Sequence, residues 1–331
     1  MQRRTFLSQS LTTVTAAALP ASSAVAMLSA GSREESLASI ASIPVIDCHT
    51  HFYDPRRPEG IPWPAKDTPL YRPVLPEHLR AQPQHRPLTG TLIVEASSRL
   101  EDNDWLLQLA QDDPFIVGII GRFTGVASPL SDDFRKQVKR YAANPLFRGI
   151  RVGSGVIQEF LQRDDWAALQ LLADHNLVLD VNGGPDTPGL IGAAAGKVPQ
   201  LHWILNHIGN VRITADQPPA DWQSGIREAA QHANVYCKVS ALVEGAARDG
   251  GRAPDDSAFY RPYLDVVWNA FGEERVIYGS NWPVCERAAD YRTVQRLTLE
   301  DAATRSPTAL ARFCHLNARV AYSWPERNPR P

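Results

Sequence analysis

Eight short apolar runs, separated by stretches of helical periodicity, constrain this sequence more than any other feature. They cover residues 45–51, 90–96, 115–121, 147–152, 177–182, 201–207, 234–240 and 275–280. Amphipathic stretches lie between them at 103–111, 131–143, 165–175, 187–196, 220–233 and 258–271, and closing helices are expected at 288–304 and 307–321. Near-continuous apolar strands alternating with helices require parallel pairing with both faces of the sheet covered. Eight such units predict a single-domain (β/α)8 TIM barrel of the α/β class rather than a doubly wound sheet. No Gly-rich phosphate fingerprint follows the first run, which argues against a dinucleotide-binding fold. At 331 residues the chain can bury the core such a barrel needs.

The barrel domain is expected to span 44–331, with a linker at 32–43. Residues 1–31 read as an export signal. Gln2-Arg3-Arg4-Thr5-Phe6-Leu7 has the twin-arginine pattern, an Ala/Thr-rich stretch follows at 11–26, and Ala24-Val25-Ala26 forms an A-x-A cleavage site. The mature protein is therefore expected outside the cytoplasm, in the periplasm. No other stretch is long and apolar enough to span a membrane. The formal net charge is −2 and no basic run stands out, so nucleic acid is not an expected partner. A small polar substrate would have to be gathered by local arginines rather than by a global field. Cys48 and Cys237 fall inside expected strands and read as buried free thiols. The spacing leaves Cys285 and Cys314 undecided.

In barrels of this kind the chemistry sits at the C-terminal ends of the strands. The first run, Val45-Ile46-Asp47-Cys48-His49-Thr50-His51, ends in two histidines. Strand alternation places Asp47, His49 and His51 on one face. Two adjacent imidazoles are half a metal site, or a pair of donors for a polar substrate. The other strand ends contribute Glu95, Arg122, Arg151, Asp180, Asn182, His207, Lys238 and Asn281. Taken singly, each has a structural explanation: a barrel cation can simply neutralise a carboxylate such as Glu95, and His207 can be a satisfied core histidine. Their convergence on one rim is harder to explain that way, because unpaired buried charge is costly. The long Pro-rich loop after the first run, 52–76, brings Phe52, Tyr53, Trp63 and Tyr71 as candidate pocket walls.

Six segments carry a resemblance. They are Ile46-Asp47-Cys48-His49-Thr50-His51-Phe52, Ile61-Pro62-Trp63, Phe147-Arg148-Gly149-Ile150-Arg151, Asn206-His207-Ile208-Gly209, Tyr236-Cys237-Lys238-Val239-Ser240 and Tyr278-Gly279-Ser280-Asn281-Trp282-Pro283-Val284. With them the chain resembles the amidohydrolase superfamily, in its sugar-lactonase-like branch of fuconolactonase, rhamnonolactonase and pyrone dicarboxylate lactonase relatives. The resemblance implies a hydrolase acting on a lactone or cyclic ester of a small sugar acid. His49, His51 and His207 would hold a divalent metal, zinc above others, or polarise the substrate carbonyl directly. Arg151, Lys238, Trp63 and Trp282 would contact substrate. Position 281 usually carries the aspartate that acts as general base. Here it is Asn281, and an amide cannot take a proton at neutral pH. That leaves His207 or Glu95 as proton acceptor. It also leaves open a carboxy-lyase on the same barrel, or a relative that binds without turnover.

Overall fold

The computed structural model describes residues 42–247 and 251–327. The expected export signal and all but the last two linker positions lie outside the described residues. Eight parallel strands follow one another around a barrel in chain order. They are β1 (Ile46–Thr50), β2 (Gly90–Val94), β3 (Ile116–Gly121), β4 (Phe147–Gly153), β5 (Val178–Asn182), β6 (Trp203–Leu205), β7 (Val235–Val239) and β8 (Val276–Tyr278). The β8–β1 seam is drawn together just beyond the strands. His51 N–H donates to the Trp282 carbonyl at 2.9 Å, and Asn281 N–H donates to the His49 carbonyl at 2.9 Å. The closure therefore fixes the backbone of both histidines and of residue 281 in one stroke.

β6 and β8 are shorter than their apolar runs suggest, for a backbone reason. His207, Ile208 and Gly209 have φ of 58°, 47° and 75°, and Asn281 has φ of 62°. A strand cannot continue through the left-handed region. His207 thus stands on a turn rather than on the face of β6. Asn and Asp tolerate this region better than most residues, which suits the residue type at 281. β1 also departs from strict alternation: its register against β2 shifts between Asp47 and Thr50. Asp47, two residues before His49, is fully buried. Its Oδ1 accepts from the Ser280 and His49 amides, and its Oδ2 accepts from the Tyr291 hydroxyl.

The helices match the periodic stretches to within a few residues, and side-chain caps mark several starts. Ser131, Asp256 and Asp290 accept from the amides of Phe134, Ala258 and Thr293. One ten-residue helix, Ser154–Arg163, was not expected; it starts directly at the end of β4 and buries Ile157 and Phe160. The last expected helix is continuous but contains a π-helical turn, Arg312–Leu316. It carries Ala318, Ala321 and Tyr322 into the apolar cluster at the barrel floor, with Ile46, Leu92, Ile204 and Ile277. All four cysteines are free and buried. The Pro-rich loop is pinned at its ends by paired backbone hydrogen bonds between Tyr53 and Val74, at 2.9 and 2.8 Å. Among the described residues no helix is long and apolar enough to cross a membrane.

Candidate active site

The strand ends open onto a cleft of about 670 Å³, within the range of small-molecule sites. His51, Glu95, Arg122, Arg151, His207 and Asn281 line it, and Trp63 of the Pro-rich loop forms one wall. Trp63 meets the edge of His51 at 6.0 Å between ring centres, with Tyr53 packed behind it at 5.4 Å. Of the four loop aromatics proposed as walls, only Trp63 faces the cleft; Phe52 and Tyr53 are buried behind it.

The three histidines are gathered as expected. The His49 ring lies 4.3 Å from that of His207 and 5.1 Å from that of His51. His51 Nδ1 meets the Val94 carbonyl at 2.9 Å, its Nε2 meets Asn281 Oδ1 at 3.2 Å, and His207 Nδ1 meets Ser240 Oγ at 2.8 Å. Both ring nitrogens of His49 are buried without a protein partner. Burial pushes all three below the ordinary histidine value, His51 to about 3, and the nearby cations Arg151 and Lys238 push the same way. These are neutral imidazoles, able to donate or accept one hydrogen bond per nitrogen, not cations.

Arg151 reaches the cleft and is held by Glu95: Nε donates to Oε1 at 3.0 Å and Nη2 to the Glu95 carbonyl at 2.7 Å. Burial raises the Glu95 carboxyl, and Arg151 opposes that rise. The pair leaves a cation presented to a ligand on a fixed carboxylate base. Arg122 and Arg287 also face the cleft, so it carries more positive than negative side chains.

Two expected substrate contacts are corrected. Lys238 is wholly buried inside the barrel, where its Nζ pairs with Asp180 Oδ2 at 2.6 Å; Asp180 Oδ1 also accepts from Tyr322 at 3.0 Å. It does not line the cleft, and its charge is spent on a carboxylate that could not otherwise be buried. Trp282 is also fully buried, with its Nε1–H donated to Glu286 at 2.8 Å and its carbonyl closing the seam.

One site residue had escaped notice. Glu244, in the short helix Leu242–Ala246 after β7, lines the cleft and accepts from Asn281 Nδ2 at 2.7 Å on Oε1. A carboxylate four positions beyond Ser240 in a βα connection is the signal that could have found it.

A family model described as amidohydrolase matches residues 46–324. The chain belongs to the amidohydrolase family. This amidohydrolase is 29% identical over 254 residues to an L-fucono-1,5-lactonase of Burkholderia ambifaria, covering 74% of the chain and 82% of that relative. A crystal structure of an amidohydrolase from Burkholderia multivorans with bound HEPES superimposes with a TM-score of 0.73 at 26% identity, over 85% of this chain and 100% of the other. A second, with bound zinc, gives 0.72 at 27% identity over the same shares.

Metal is typical of the superfamily, so the donors were tested for it. Among the described residues no group of three or more His, Cys, Asp or Glu is arranged to hold an ion. The histidine trio is assembled: both nitrogens of His49 lack a protein partner and His207 has only Nδ1 engaged, while His51 Nε2 meets Asn281 Oδ1 and Glu95 is committed to Arg151. Residue 281 offers an amide where a carboxylate would be the stronger ligand. As placed, these donors are not drawn together around an ion, and the chemistry below rests on the chain's own groups.

Proposed function

We propose that this amidohydrolase opens the lactone of a small sugar acid, with L-fucono-1,5-lactone as the first substrate to test. The observation that carries the reading is the meeting of neutral His51 and His207 with Arg151 at one cleft, with the buried His49 ring 4.3 Å from that of His207. Its similarity to the L-fucono-1,5-lactonase supports the substrate class. With the Ser240 hydroxyl donating to Nδ1, His207 carries its proton on Nε2 and donates to the lactone carbonyl oxygen as negative charge develops there. His49, with both nitrogens free of protein partners, is the second group for substrate oxygen or water. Arg151 binds hydroxyls or the carboxylate product, and Trp63 covers the sugar face.

The test is base-titrated hydrolysis across a panel of sugar-acid lactones, after exhaustive dialysis against a chelator and again with added Zn²⁺. Turnover of at least one lactone that survives chelation is expected, with product mass gained by one water. An inert wild type sinks the reading. Loss of carbon dioxide from a carboxylated substrate would transfer it to a carboxy-lyase. Activity abolished by chelation and restored by zinc would restore a metal role for the histidines.

Export through the twin-arginine route is the location we propose, from the pattern at Arg3-Arg4. The protein should appear in the periplasmic fraction of a bacterial host, and the double change Arg3→Lys, Arg4→Lys should retain it in the cytoplasm. Equal distribution of the two forms would refute the assignment.

A further inference from the structure

Three contacts run in line from β2 to the short helix after β7: the Val94 carbonyl to His51 Nδ1 at 2.9 Å, His51 Nε2 to Asn281 Oδ1 at 3.2 Å, and Asn281 Nδ2 to Glu244 Oε1 at 2.7 Å. Each contact needs one proton. A neutral imidazole supplies one, and the amide supplies one to whichever side its nitrogen faces. Two protons cannot serve three contacts. With the amide nitrogen toward Glu244, either tautomer of His51 leaves two acceptors facing each other. The third proton must sit on His51 as imidazolium or on Glu244 as the neutral acid.

Burial pushes Glu244 up to about 7. The acid can then turn its O–H to Asn281 Oδ1, the amide turns over to donate to His51 Nε2, and all three contacts close. The other oxygen, Oε2, is buried and has no partner. Among the described residues, the charged or titratable groups acting on Glu244 are Arg287, which favours its ionised form, and the uncharged Tyr260 and Cys285; His51 reaches it through Asn281.

We propose that Glu244 is the proton acceptor of the hydrolytic step, occupying the role that an aspartate at position 281 would have held, and that Asn281 is the positioning amide whose orientation follows the Glu244 proton. This rests on the lactonase reading. Glu244 takes a proton from water as the water oxygen bonds to the lactone carbonyl carbon. The tetrahedral species collapses by breaking the bond to the ring oxygen, and Glu244 returns the proton to that oxygen. Lactone and water become the open hydroxy acid, and the carboxylate is regenerated.

The experiment measures kcat and KM against pH for L-fucono-1,5-lactone with wild type, Glu244→Gln, Glu244→Asp, and Glu244→Gln combined with Asn281→Asp. Wild-type kcat should rise with pH through about 7 as Glu244 ionises. Glu244→Gln should lose roughly 10²–10⁴-fold in kcat with KM little changed, and lose that rising limb. Glu244→Asp should keep the limb at reduced rate, and the double variant should regain turnover by returning a carboxylate beside the same position. Thermal unfolding gives a readout apart from activity. A folded-state value above the unfolded one means stability is lost as pH rises from the unfolded value through the folded one. Wild type should therefore lose Tm between pH 5 and pH 8 relative to Glu244→Gln. A folded Glu244→Gln that keeps most of its kcat, or keeps the limb, overturns the assignment while leaving the lactonase reading intact. A wild type inert toward every lactone defeats the lactonase reading first, and this one with it.

Discussion

His207→Ala is expected to lower kcat for lactone opening by roughly 10²–10³-fold, the usual cost of removing one preorganised donor to a developing oxyanion. The residue is placed by backbone, not by chance packing. Its φ of 58° turns it out of β6, and Ser240 holds Nδ1 at 2.8 Å so that one ring nitrogen remains for substrate. Because burial holds the imidazole neutral, it acts as an uncharged donor to the developing oxyanion, and the loss should appear in kcat rather than KM. Ser240→Ala should cost less, since it frees the tautomer without removing the ring. Steady-state kinetics on folded protein checks both. A His207→Ala enzyme with wild-type kcat would place the oxyanion donor elsewhere.

The second large effect concerns stability. Lys238→Met is expected to destabilise the fold by about 3–5 kcal/mol, because it leaves Asp180 buried without its counter-ion. Both side chains are completely inaccessible, and the ammonium also lies 5.2 Å over the Tyr322 ring. Asp180→Asn in the same chain should recover much of the loss by removing the orphaned charge. Urea unfolding of the four members of the cycle measures the coupling. The result separates two assignments. A substrate-binding lysine would raise KM on mutation and leave the unfolding midpoint in place. The barrel-interior ion pair predicts the reverse.

The proton inventory around Asn281 bears on how a changed residue is read. An amide at a position where the resemblance implies an aspartate suggests a lost base when the position is considered alone. Here the amide lies between an imidazole and a buried carboxylate from a neighbouring connection. That carboxylate, Glu244, follows β7, one strand round the barrel from Asn281.

The sequence by itself determined the barrel, its strand count, and the rim to which His49, His51, His207 and Arg151 are delivered. Those properties follow from local periodicity and from the handed, short connections that parallel strands impose. It also exposed the one unusual choice, Asn281. Only the tertiary structure decided where long side chains end. Lys238 and Trp282 sit on motif positions, yet both turn away from the cleft because Asp180 and Glu286 satisfy them more cheaply than solvent-facing positions would. Left-handed turns, not strand faces, aimed His207 and Asn281. Glu244 stood in a βα connection of the sequence, but its pairing with Asn281, 37 residues away, shows only in the fold. Periodicity reports which elements form; the destination of a buried charge depends on which opposite charge folding brings within reach, and that is a long-range fact.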